Sequence, residues 1–164
     1  MSLHHIENLE HIFRQIQKAL KPNGLFVLNE FVGPNRFQWT KKQVDIANDL
    51  LEIIPLKYKH CKIRNEIKKT VYQPTVQSMI ETDPSEAVRS EEIIDIVTSI
   101  FKIIHRQDYG GTILNILLEG IVCNFMETDE NAIALLNMLF YIEKCLIQEK
   151  ILPSDFTLIV CQKI

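Results

Sequence analysis

The sequence predicts an α/β layered fold built as a single domain over residues 1–164. Two observations carry this. Three segments of strand length, the apolar Leu25–Phe31 and Phe156–Cys161 and the short Phe101–Gln107, alternate with segments of helical periodicity. The chain is also 46% hydrophobic over 164 residues, enough to bury one core.

The elements follow in order. Ile6, Leu9, Ile12, Phe13, Ile16, Ala19 and Leu20 recur at helical spacing and form one apolar stripe. Lys21-Pro22-Asn23-Gly24 stops that helix and turns the chain. The run Leu-Phe-Val-Leu that opens at Leu25 is unbroken, as in a strand covered on both faces. Val32-Gly33-Pro34-Asn35 ends it. A second helix is expected over Thr40–Ile54, up to Pro55, and residues 57–73 fit no single pattern. Asp83-Pro84-Ser85-Glu86 is a turn. Ser90 is the expected N-cap of a helix running to Ser99, with Glu91 and Glu92 meeting its positive end. After the second strand, Asp108-Tyr109-Gly110-Gly111 is a loop. Two more helices are expected over Ile113–Phe125 and Ala132–Ile147, the latter capped by Asp129. Helices outnumber strands, which points to an incomplete sheet.

Composition narrows the function classes. With 18 basic and 21 acidic residues the net charge is −3, and the basic stretch Lys57–Lys69 is interrupted by Glu66 and apolar residues. A general nucleic-acid binder should carry a basic excess or stripe, so no nucleic-acid partner is expected. No window reads as a secretory signal or a membrane span. Cys61, Cys123, Cys145 and Cys161 are scattered, with no Cys-x-x-Cys pair, and read as reduced thiols of a cytoplasmic protein. His4, His5 and His11 lack a carboxylate or thiol at ligand spacing along the chain, so no metal site is expected.

The stretch Ser2-Leu3-His4-His5 through Leu20-Lys21-Pro22-Asn23-Gly24 to Phe31 resembles the segment after the fourth strand of Rossmann-like, S-adenosylmethionine-dependent methyltransferases. There a Leu-His-His-like turn leads into a helix, a Leu-Lys-Pro-Gly-Gly-like turn follows, and a fifth strand ends in a polar or acidic residue. Asn23 replaces the first glycine of that turn; Asn tolerates left-handed backbone angles, so the departure is mild. The strand before Tyr109-Gly110-Gly111 resembles the family's sixth, and Asp155–Lys163 its antiparallel seventh. The resemblance spans essentially the whole chain, more firmly over residues 2–40 than over 41–150. It implies an incomplete Rossmann-like fold with the fifth, seventh and sixth strands, many helices, and a helical lid or insert over residues 40–89.

By the resemblance, Leu3 and His4 lie beside the cofactor's methionine end. Glu30 and Phe31, at the carboxyl end of the fifth strand, face the substrate. Arg36, Phe37, Gln38 and Trp39 line the lid side, and Tyr109 approaches from the loop after the sixth strand. His4, His5 or Glu30 is then the base that takes the acceptor's proton. Apolar and aromatic residues near this lid point to a small-molecule acceptor. The family's Gly-rich cofactor loop finds no counterpart: Gly24, Gly33, Gly110, Gly111 and Gly120 form no GxGxG pattern. The chain therefore looks like the C-terminal half of such an enzyme, inactive alone.

Plainer roles stand beside these. His4 and His5 also read as packing or capping residues, Glu30 as a backbone cap, and Trp39 with Phe37 as a hydrophobic anchor. The alternative function is a non-catalytic interaction module. On that reading the apolar strand Leu25–Phe31 has an unpaired edge, and the chain self-associates as a two-fold dimer.

Overall fold

The computed structural model describes residues 2–62, 64–126 and 128–164. In chain order the elements are α1 (Leu9–Ala19), β1 (Leu25–Phe31), α2 (Lys41–Ile53), β2 (His60–Cys61), β3 (Glu66–Ile67), α3 (Val76–Thr82), α4 (Ile93–Ile100), β4 (Phe101–Gly110), α5 (Leu114–Leu118), α6 (Glu130–Gln148) and β5 (Phe156–Lys163). The protein is α/β. Two compact units are distinguishable within it. One comprises Met1–Gln38, Pro74–Tyr109 and Ser154–Ile164; the other comprises Trp39–Gln73 and Gly110–Pro153. The stretch 40–89, expected as one lid or insert, is shared between the two.

The first unit is built on a three-stranded sheet of order β1–β5–β4. The last strand thus lies between the other two, antiparallel to β1, in a register from Leu25 opposite Gln162 to Phe31 opposite Phe156. Side chains alternate across a strand, so the register fixes two faces. Phe26 and Leu28 of β1 share one face with Cys161 and Ile159 of β5. That face packs with Leu9 and Phe13 of α1, Ile93 and Val97 of α4, and Phe101. The other face carries Leu25 and Val27, 54% and 56% exposed, and Ile104 of β4, also exposed. The expectation of a strand covered on both faces holds for one face only. Glu30 continues the packed face of β1 beyond Leu28, at the strand's carboxyl end. There the chain start forms a 3-10 turn, Leu3–His5.

Local chemistry explains where the helices begin and end. The expected first helix opens later, at Leu9, because Asn8 accepts a hydrogen bond from the His11 N–H and sets the boundary. Asn23 adopts φ +59°, the left-handed angle the turn needs. Ser90 is not a cap. Its hydroxyl is fully buried and donates to the Gly33 carbonyl at 2.8 Å, and a 3-10 turn, Ser90–Glu92, precedes α4. Gly33 itself has no room for a side chain, since a Cβ there would meet the Phe31 ring at 2.6 Å.

A capping box between Thr40 and Gln43 opens α2. The helix expected over Ile113–Phe125 ends at Leu118, and Gly120 follows with φ +75°. Glu143 of α6 accepts hydrogen bonds from the Gly111, Ile113 and Leu114 N–H groups, which satisfies the open start of α5. Lys68 is buried but donates to the Ile116 and Glu119 carbonyls, at 2.8 Å each. Asp129 caps α6 as expected, by accepting from the Asn131 and Ala132 N–H groups. Residues 57–73 hold a short hairpin of β2 and β3, with His60 opposite Ile67. All four cysteines are free thiols. Among the described residues no helix is long and apolar enough to cross a membrane.

Candidate functional site

The candidate site lies in the first unit, where β1 ends against the turn Leu3–His5 and the segment Asp83–Val88. Glu30 is 3% exposed, so an ionised carboxylate there needs partners. It has several. One oxygen accepts the backbone N–H groups of Ser2 at 2.5 Å and Leu3 at 3.1 Å. These are donors at the open start of the 3-10 turn, which carry no partner within the turn. The other oxygen accepts from His4 Nδ1 at 2.7 Å. Burial pushes this carboxyl up. The bonds from His4, Leu3 and Ser2 outweigh it and hold the carboxyl below its ordinary range.

Both oxygens of Glu30 are thus engaged, one by the turn and the other by the His4 ring. With Nδ1 donating to Glu30, the His4 ring turns Nε2 toward Glu86, 3.5 Å from Oε1. His5 is placed in a similar way. The Ser85 hydroxyl donates to Asp83 Oδ1 at 2.7 Å, so it accepts from His5 Nδ1 at 3.0 Å. His5 Nε2 then lies 3.8 Å from the other oxygen of Glu86. The two rings are 4.3 Å apart, centre to centre. Asp83 is held below its ordinary range by the Ser85 hydroxyl and N–H.

The surrounding backbone is fixed by bonds and by unusual angles. The Val88 N–H donates to the His4 carbonyl at 3.0 Å, and the Arg36 N–H to the Ala87 carbonyl at 2.7 Å. The Arg36 guanidinium donates to the Glu86 carbonyl at 3.0 Å. Arg36, Phe37 and Ala87 have φ of +55°, +53° and +47°. Non-glycine residues in this region are strained, and such strain concentrates at functional sites.

The other expected site residues divide. Leu3 is buried in the core beside Leu28 and Val32. Phe31 is buried in an aromatic group, edge to face with Phe37 at 5.1 Å and Phe156 at 5.3 Å, and 6.2 Å from the His4 ring. Tyr109 is half exposed, and its hydroxyl donates to Asn29 Oδ1 at 2.6 Å. Trp39 is buried in the second unit. Glu86, Ser85 and Asp83 had no place in the sequence-level site. They lie about eighty positions from His4 and His5, and only the turn pattern at Asp83–Glu86 marked them.

No family model, no curated protein and no solved structure matches the chain.

Proposed function

We propose that this chain supplies the acceptor-side wall of an S-adenosylmethionine-dependent methyltransferase and is inactive without the Gly-rich cofactor-binding half. The observation that supports this best is the strand order β1–β5–β4, with β5 antiparallel to β1. It is the order that the resemblance anticipates for the family's fifth, seventh and sixth strands. His4 and Glu30 then sit at the carboxyl end of β1, where α/β sheets bind ligands. Methyl transfer is an in-line displacement. The acceptor's nucleophile bonds to the methyl carbon, the carbon–sulfur bond breaks, and sulfur leaves with the electron pair as a neutral thioether. In this reading His4 Nε2 takes the acceptor's proton, Glu30 orients the ring through Nδ1, and the small-molecule acceptor enters from the Arg36–Phe37 side. Calorimetric titration of the chain alone tests the half-site character. No saturable S-adenosylmethionine binding is expected up to millimolar ligand, and micromolar binding would overturn it.

The second reading is a cytoplasmic interaction module that dimerises through β1. It is favoured by the exposure of Leu25 and Val27 on a strand that ends the sheet order. Exposed apolar edge strands pair unless something blunts them. Sedimentation is expected to show a dimer at micromolar concentration, converted to monomer by Val27→Lys. A wild-type monomer at that concentration contradicts this reading.

A further inference from the structure

We infer that His4, His5 and Glu86 form a binding site for a divalent transition-metal ion of the zinc class, with two imidazole nitrogens and one carboxylate as ligands. One ligand atom from each of the three lies within 4.8 Å of the other two. A tetrahedral ion with bonds of about 2.0–2.1 Å holds its ligand atoms roughly 3.3–3.4 Å apart. Glu86 Oε1 stands 3.5 Å from His4 Nε2, close to that spacing, and Oε2 stands 3.8 Å from His5 Nε2, so one oxygen of the carboxylate faces each ring. Both gaps are too long for good hydrogen bonds.

The orientation of both rings is the stronger argument. A histidine that binds metal through one nitrogen usually donates its other N–H to a carboxylate, carbonyl or hydroxyl, which fixes the tautomer. Both histidines here have that arrangement. His4 Nδ1 donates to Glu30, and His5 Nδ1 donates to Ser85, whose own proton goes to Asp83. In the neutral rings the lone pairs are therefore on Nε2, and both Nε2 atoms face Glu86. The carboxylates of Glu30 and Asp83 add negative charge behind the ligands. The Glu86 backbone is anchored by the bond from Arg36 to its carbonyl and by the strained Ala87 beside it.

The donor set selects the ion. Magnesium and calcium prefer all-oxygen sites, whereas two imidazoles and a carboxylate suit zinc, cobalt or nickel. Three protein ligands leave a fourth position for water or a ligand. The His4, Glu86 and His5 side chains are 12%, 24% and 35% exposed, so the site is reachable from solvent. This inference does not rest on the methyltransferase reading. A bound ion occupies the same His4 Nε2 that the methyl-transfer reading uses as a base, so the two roles exclude one another at any moment.

The test is titration of the intact chain with zinc by calorimetry and with cobalt(II) by visible absorption. One ion per chain should bind with a micromolar or tighter Kd, and cobalt should give the intense visible bands of four- or five-fold coordination. Glu86→Gln and His5→Ala should each weaken binding at least tenfold. Glu30→Gln, which touches no ligand atom of the ion, should weaken it about 10–100-fold through His4. His11→Ala and Cys123→Ser should change nothing. Glu86→Gln is a conservative change at a partly exposed side chain, and an unchanged thermal melt without metal confirms that it folds. A Kd weaker than about 0.1 mM, or binding that survives Glu86→Gln and His5→Ala, overturns the inference.

Discussion

Phe13→Ala is expected to lower the stability of the first unit by about 3–5 kcal/mol. Phe13 is fully buried on the inner side of α1. Its ring lies edge to face with Phe26 of β1 at 6.2 Å and with Phe101 of β4 at 6.4 Å, and those two rings are 5.7 Å apart. One side chain thus joins α1 to two strands of the sheet. Truncation removes the ring's transfer free energy and leaves a cavity that a paired sheet cannot easily collapse around. A typical domain is stable by only about 5–15 kcal/mol, so the loss is a large share of the whole. Urea unfolding followed by circular dichroism reads it as a lower midpoint. A loss below about 1 kcal/mol would mean that Phe13 is not the link between α1 and the sheet.

The second large effect is at Glu30. Glu30→Ala leaves the buried Leu3 N–H and the part-buried Ser2 N–H and His4 Nδ1 without their acceptor. The expected cost is about 3–5 kcal/mol at neutral pH. Its pH dependence has a defined sign. The folded carboxyl titrates below its ordinary value of 4.5. Between the two values the unfolded chain binds more protons than the folded one, so stability rises with pH there. The Glu30 contribution is therefore complete above about 4.5 and is lost as pH falls through the depressed folded value. The stability gap between wild type and Glu30→Ala should be widest at neutral pH and narrow in acid. A gap independent of pH from 7 to 3 would show that the ionised carboxylate is not what holds the turn.

Much of this architecture can be read from the residues. The strands at Leu25 and Phe156 are legible because their apolar runs are bounded by turn residues, whereas β4 starts directly after α4 and runs on through Asp108–Gly110, where a loop was expected. Asp129 is legible as a cap because a polar residue stands directly before a long apolar period. The hairpin His60–Cys61 with Glu66–Ile67 is not, since two-residue strands carry no periodicity. Ser90 has the sequence context of a cap, but the tight approach of Gly33 offers its hydroxyl a buried carbonyl instead. At the site, His4, His5 and Glu30 stand out individually by residue type and position. The Glu30–His4 bond, and the arrival of Glu86 and Ser85, depend on the packing of α1 and α4 against one sheet face. Nothing local in the chain encodes that packing.

The proposed role of these residues is the acceptor-side wall of an S-adenosylmethionine site. Its most direct test is equilibrium dialysis of S-adenosylmethionine against a chimaera that places the first four strands of a Rossmann-like methyltransferase ahead of Ser2. Saturable micromolar binding by the chimaera is expected, weakened several-fold by His4→Ala. A chimaera with a dispersed, native-like amide spectrum and no binding at millimolar ligand would contradict it.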